Sequence, residues 1–497
     1  MKWASKWRGS HVSGTLLFCL VLSIGGSAPW SGATLQAPVH PIVFHPTFSD
    51  IQFVSGGTTP PSQTQCNAIG RRCFNPTAEQ NSYNLTPLLA EDHQGQGQTI
   101  IIVDSFGSET VRHDLMVFNT AFGLPHLCGE ENTPAGCSGP TFSELQQGNT
   151  STNPPPPQSK GTGQENRSIW AIEVSLDVEW AHSMAPMANI LLVTTPTAET
   201  LGVQGFPDFF KAEQDVINAH LGSVISQSFA SAEEAFNQGT AALQNLRGAF
   251  ELARANHVTV FGSSGDFGTA NILKTPVKNP TVIPFPTVEW PASDPLVTGV
   301  GGTYECANAT TGLGVDSASP PATCQANPGG REVGWIDAGG GFSHVFTRPS
   351  FQDVLPAGST PIGARRGVPD ISIQASSRTG VLIYITNPGY STNVNDTGWY
   401  VIGGTSSGSP QWAGLIAVAN ELNGGKPLGY INPALYAIAS DPTSYARDFY
   451  DVTTGNNQAN PAVPGYPATT GWDPVTGLGT PNAANLILDL IAYVNSH

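Results

Sequence analysis

Apolar and polar positions change period along the chain, and the changes mark out strands and helices. Thr99 to Val103 is an unbroken, largely β-branched run, as expected of a strand buried on both faces of a parallel sheet. It ends in Asp104-Ser105-Phe106-Gly107, a strand-to-loop turn. Helical spacing follows over about 168–184, then a strand at 190–194. A helix at 207–220 precedes a strand at 223–227, and a helix at 233–255 precedes a strand at 258–262. Strand 398–402 runs into Gly403-Gly404-Thr405-Ser406 and on to a helix over 410–422. This alternation predicts an α/β fold with a doubly wound, mostly parallel sheet, whose ligands sit beyond the carboxyl ends of the strands. Residues 138–164, which include Pro154 to Pro157, read as a surface loop, and no internal repeat is visible.

The start of the chain has a different character. Lys2, Lys6 and Arg8 precede a short apolar stretch from Leu16 to Ile24, and small residues follow, with Ala28 and Ala33 as cleavage candidates. That is the pattern of a signal peptide over 1–33, too short to span a bilayer, which takes about 20 apolar residues. Export to the extracellular space without a membrane anchor is the expectation. Residues 34–73 are rich in Pro and Thr without periodicity, and read as a short N-terminal segment or linker. Cys19 falls in the signal. The remaining six cysteines suit disulfides in an exported chain, and their spacing suggests the neighbours Cys66–Cys73, Cys128–Cys137 and Cys306–Cys324. No CxxC pair favours a metal.

Composition narrows the function classes. The 497 residues carry 20 basic and 37 acidic side chains, a formal net charge of −17. No basic stripe exists for phosphate binding, so a nucleic-acid partner is excluded. Only 11% of residues are charged, against about 25% in ordinary soluble domains. Such a surface keeps its interactions as carboxylates protonate, which suits acidic surroundings.

Three motifs carry candidate chemistry. On the helix over 168–184, Glu173 and Asp177 are four residues apart and share a face with Trp170, Trp180, Ala181 and Met184. Ser175, Glu179, His182 and Ser183 fall roughly 150° away and read as the solvated face. Two acids on an apolar face destabilise unless a proton is shared. Gly403 to Pro410 places Ser406 between a strand and a helix N-terminus, where backbone N–H groups suit a nucleophile that generates an oxyanion, although Ser and Thr also cap helices there routinely. Asp266 lies in Gly262-Ser263-Ser264-Gly265-Asp266, after strand 258–262.

Taken together these residues resemble the sedolisin family, the serine-carboxyl peptidases with a subtilisin-like fold. The family's Glu-x-x-x-Asp motif matches Glu173 to Asp177, its Ser-Gly-Asp turn matches Ser264 to Asp266, and its Gly-Thr-Ser-x-x-x-Pro motif matches Gly404 to Pro410. Gly299 to Thr303 and Gly367 to Asp370 add to the likeness, which runs from about residue 74 to the end. The resemblance implies one large catalytic domain over 74–497, active in acid on peptides or proteins. It implies Ser406 as nucleophile, Glu173 as general base, Asp177 orienting it, and a protonated Asp266 at the oxyanion. Ser226, Gln227 and Ser228 would form an edge that pairs with the substrate backbone. One structural Ca²⁺ would be held by Asp451 and Asp473 with the carbonyls of Val452, Thr469 and Gly471, oxygen ligands that suit a hard cation. Residues 34–73 are too few for the folded prosegment usual in the family. Nothing in the sequence suggests more than a monomer. Two rivals stand beside this reading: an exported binding protein on a peptidase fold, and a neutral subtilisin-type triad of Asp104, His113 and Ser406.

Overall fold

The computed structural model describes residues 45–46, 49–147, 167–196, 206–236, 240–273, 281–386 and 396–497. The expected signal over 1–33 lies outside the described residues, as does most of the expected loop 138–164. In chain order the strands that matter are β1 (His45–Pro46), β2 (Ser49–Gly56), β3 (Arg72–Phe74), β4 (Thr99–Ser105), β5 (Phe142–Gln146), β6 (Asn189–Thr195), β7 (Val224–Gln227), β8 (Phe229–Ala232), β9 (Thr259–Ser263), β10 (Glu289–Trp290), β11 (Thr298–Glu305) and β12 (Glu332–Gly334). Beyond them come β13 (Gly341–Thr347), β14 (Arg365–Val368), β15 (Ile371–Gln374), β16 (Thr379–Ile385) and β17 (Gly398–Gly403).

The β-branched run forms β4, a central strand as its sequence predicts. It pairs in parallel with β6 on one side, Ile101 opposite Leu191, and with β7 on the other, Ile101 opposite Ile225. The sheet runs β12-β11-β9-β7-β4-β6-β5, with β15 also parallel to β11, and only β12 is antiparallel. Alternate side chains feed two cores. Ile100, Ile102, Ile190 and Leu192 join the cluster around the helix Gly408–Leu422, while Ile101, Val103, Leu191 and Val193 join an aromatic cluster under the helix Phe206–Asn218. Both faces are therefore covered by helices, and the α/β, mostly parallel architecture is that expected.

Three expectations are corrected. Strand 398–402 does not enter the parallel sheet; it is β17, in a separate four-stranded sheet of order β2-β17-β16-β3. Residues 34–73 are more than a linker, because β2, the helix Gln63–Ala68 and most of β3 fall within them. The alternation Ile51-Gln52-Phe53 is that of a half-buried edge strand, and Phe53 meets Tyr400 edge-on at 5.2 Å. The expected helix 233–255 divides into a 3-10 turn Glu233–Ala235 and the helices Thr240–Leu246 and Gly248–Ala255. Glu233 is held by the Ser343 hydroxyl and the His344 N–H, and Arg247, at the junction of the two helices, is clamped on Asp294 at 2.5 and 3.0 Å. The three disulfides are those the spacing suggested. No helix among the described residues is long and apolar enough to cross a membrane.

Candidate active site

The helix Arg167–Met184 carries both acids of the first motif through the interior of the protein. Glu173 and Asp177 are fully buried. So are Ser175, Glu179, His182 and Ser183, which corrects the expectation of a solvated face. That side packs on other elements: Glu179 and His182 bond to neighbouring segments, while Ser175 and Ser183 bond back to carbonyls of their own helix. Glu179 accepts from the Tyr384 N–H at 3.1 Å, the Ser183 hydroxyl donates to the Glu179 carbonyl, and His182 Nε2 meets the Pro125 carbonyl at 2.9 Å. Trp180 Nε1 donates to the Leu382 carbonyl of β16 at 3.0 Å, fixing the helix on the second sheet.

Strand β17 delivers the nucleophile candidate to this helix. Gly404, with φ of 117° in a region closed to most side chains, turns the chain sharply into the 3-10 turn Thr405–Ser407, and the helix Gly408–Leu422 follows. Ser406 is fully buried. Its hydroxyl lies by the Glu173 side chain and favours the ionised carboxylate. Burial acts more strongly and in the opposite sense, and with the charges of Asp177, Asp104 and Asp266 it pushes Glu173 well above the usual carboxylate range.

Asp177 is raised by burial and then by Asp104, while the Ser228 hydroxyl, donating to its Oδ1 at 2.8 Å, opposes the rise. Asp104, at the carboxyl end of β4, is pushed by burial up to about 8, and neither of its oxygens has a donor among the described residues. Asp266 follows β9. Its Oδ1 accepts from the Thr405 N–H at 2.8 Å and the Thr405 hydroxyl at 2.9 Å, while the Gly265 N–H donates to that hydroxyl at 3.1 Å. The turn with Asp266 and the turn with Ser406 are thus stitched together. Four carboxyl groups and one hydroxyl converge beyond the carboxyl ends of the parallel strands, and they cannot all ionise cheaply.

The sequence did not reveal two members of this group in these roles. Asp104 figured there only as part of a rival triad, and Ser228 as a substrate contact. The rival is not assembled: His113 lies at the surface and pairs with Glu131 at 2.6 Å. The expected substrate edge is also corrected. Ser226 and Gln227 belong to β7, whose two sides are filled by β4 and β9. Ser226 bonds Ser409 at 2.9 Å, and Gln227 bonds Glu213. Ser228 turns inward to Asp177, and β8 after it is paired with both β1 and β10.

The acids of the expected metal site meet on one loop. Gly471 N–H lies 3.1 Å from both oxygens of Asp451, and Thr469 N–H donates to Asp473 at 3.0 Å. Burial raises Asp451, and pushes Asp473 up to about 7. Val452 is buried beside Asp451. Among the described residues no group of three or more His, Cys, Asp or Glu is arranged to hold a metal ion, so two carboxylates and backbone carbonyls are the donor set this loop offers.

Comparison with known proteins agrees with the motifs. No family model matches the sequence. Kumamolisin from Bacillus sp. (strain MN-32) is 32% identical over 330 residues, 64% of this chain and 50% of its own length. The tripeptidyl-peptidase SED1 of Arthroderma otae is 34% identical over 300 residues, 55% of this chain and 41% of its own. The chain therefore spans about half the length of the relatives it matches. Among solved structures, Pseudomonas sedolisin, a serine-carboxyl proteinase complexed with pseudo-iodotyrostatin, superposes with a TM-score of 0.62 at 26% identity, covering 86% of this chain and 99% of that one. These relatives are serine-type peptidases. The chain is a relative of the sedolisins and has their fold.

Proposed function

We propose that the protein is a secreted serine-carboxyl peptidase that works in acid, through an acyl-enzyme on Ser406. The observation that carries this reading is the convergence of Ser406 with Glu173 inside a group of buried acids. Glu173 takes the hydroxyl proton as Ser406 attacks a peptide carbonyl. Asp177, one turn along and held by Ser228, orients Glu173 and shares the proton, as the acid does for histidine in a Ser-His-Asp triad. Asp266 engages Thr405 through Oδ1, and in its protonated form donates to the oxyanion. The proton on Glu173 then passes to the leaving amine, and a water repeats the cycle on the ester. Retention of all four groups favours the peptidase over a binding protein.

The donor set of Asp451, Asp473 and the carbonyls of Val452, Thr469 and Gly471 fits one calcium ion, since two carboxylates raised by burial face one loop and every donor is a hard oxygen. When bound, the ion neutralises those carboxylates and ties the loop in place; it takes no part in the peptide chemistry. We take the working form to be a monomer acting on extracellular peptides. Digestion of a peptide library across pH tests the reading: cleavage confined to acid is expected, and activity that climbs to a plateau above neutrality would refute it.

A further inference from the structure

A second group of buried acids lies outside the site. Glu79, on the helix Pro76–Ser82, is fully buried, as is Glu305, the last residue of β11. Glu332, the first residue of β12, is buried beside them. Glu332 is well served as an anion: it accepts from the Tyr83 hydroxyl at 3.0 Å, the Thr303 hydroxyl at 2.9 Å and the Thr480 hydroxyl, with the Arg331 charge nearby. Glu79 and Glu305 are not. None of their four oxygens has a donor among the described residues. The neighbouring hydroxyls are drawn elsewhere: that of Ser82, which also lies by Glu305, donates to the Gly312 carbonyl, and that of Tyr83 to Glu332. What the two carboxyls have is each other, side chain to side chain.

The charges that face the pair are few. Glu332 and Tyr83 add no positive charge. Arg331, stacked 4.0 Å over the Tyr450 ring, is one cation among three carboxyls. Arg72 of β3 is taken up by the carbonyls of Pro320, Ala307 and Ser319. A proton shared between Glu79 and Glu305 lets each carboxyl serve the other.

We propose that the Glu79–Glu305 pair is a proton-dependent latch, which holds the helix Pro76–Ser82 against β11 in acid and releases it as the shared proton is lost. Burial, with the neighbouring carboxylates, pushes Glu79 well above the ordinary range and Glu305 up to about 7. For groups raised on folding, the stabilising contribution is complete below the ordinary glutamate value and is lost as pH rises through the folded value. The latch therefore weakens on the approach to neutrality and beyond. Its release reaches the nucleophile turn along a short path. The Gln374 N–H donates to the Tyr83 hydroxyl at 2.9 Å, and Ser407, next to Ser406, donates to the Gln374 carbonyl at 2.8 Å.

The test does not depend on catalysis. Glu79→Gln keeps the shape, supplies a permanent N–H donor to Glu305 and carries no charge. Hydrogen exchange of peptides covering 76–83, corrected for the intrinsic pH effect, is followed from about pH 5 to about pH 8 in both proteins. Protection lost with rising pH in the wild type and kept in Glu79→Gln is the expected result. Asp104, Asp114 and Glu213 also lose protons on this approach, so a falling melting temperature alone is not the criterion. Equal pH dependence of the two proteins in this helix overturns the latch. If Glu79→Gln does not fold, pH-independent protection of 76–83 in the wild type overturns it equally.

Discussion

Asp177 has one oxygen committed to Ser228, and that commitment sets what the other can do. With Oδ1 filled, Oδ2, which has no donor among the described residues, is the oxygen that on the proposed mechanism shares a proton with Glu173. Ser228→Ala removes a bond to a charged group worth about 2 kcal/mol, so kcat should fall on the order of tenfold or more. The Asp177 carboxyl should rise further, visible as a shifted pH–rate profile, and Ser228→Thr should restore it. Ser406→Ala should abolish turnover in a protein that melts normally; full activity there would end the proposed mechanism. Asp266→Asn tests the oxyanion role, because an amide donates a hydrogen bond at every pH and has no proton to lose. The alkaline limb of activity should move upward; an unmoved limb would assign it to another group. Glu173 and Asp177 stood out by their spacing and Ser406 by its turn, whereas Asp266 was singled out only by the resemblance. Asp104 was not legible in this role, because an acid at the end of a strand is common and only the fold shows how thoroughly it is buried among other acids.

The helix Arg167–Met184 is an element whose sequence pattern misled. Its polar residues at 175, 179, 182 and 183 look solvated, yet they bury because neighbouring segments meet Glu179 and His182 while Ser175 and Ser183 bond carbonyls of their own helix. A single sequence cannot show where those partners will lie. The helix Gly408–Leu422 approaches it closely at Gly414, where a Cβ would come within 2.6 Å of the Met184 Cβ and 3.1 Å of the Ala181 carbonyl. Gly414→Ala should force the two helices apart at a cost of about 1–3 kcal/mol, lowering the melting temperature and also activity, since the helices carry Glu173 and follow Ser406. An unchanged melting temperature would show the packing to be looser than this. The loop Thr469–Asp473 makes a separate prediction. Chelation, or Asp451→Ala, should lower the melting temperature, because bound metal stabilises only the folded state. No change with chelator and no metal in the purified protein would remove the calcium site.

At the scale of the whole molecule, the alternation of strands and helices predicted the parallel sheet, and cysteine spacing predicted the three bridges. The second sheet was hidden, since its strands come from 49–56, 72–74, 379–385 and 398–403, and no local pattern links such distant segments. Burial of acids extends beyond the site. Asp114 is pushed up to about 7 and Glu213 up to about 8, chiefly by burial. Their stabilising contribution is complete below the ordinary carboxylate range and lost as pH rises through about 7 to 8. Glu213→Gln should flatten that loss in a melting series; a curve parallel to the wild type would clear Glu213 of any part in it. The pairing of β2 with β17 has a consequence in the time domain. Closing so long a loop adds little to the equilibrium cost, about 0.6 kcal/mol for each doubling of length, but contacts so distant in sequence form slowly. The strand that leads to Ser406 gains its outer partner only when the two ends of the domain meet, and Glu173 and Asp266 reach it from two further segments. On the proposed mechanism, a half-folded chain would hold a serine and some acids but no assembled hydrolase, and would not digest its neighbours while they fold.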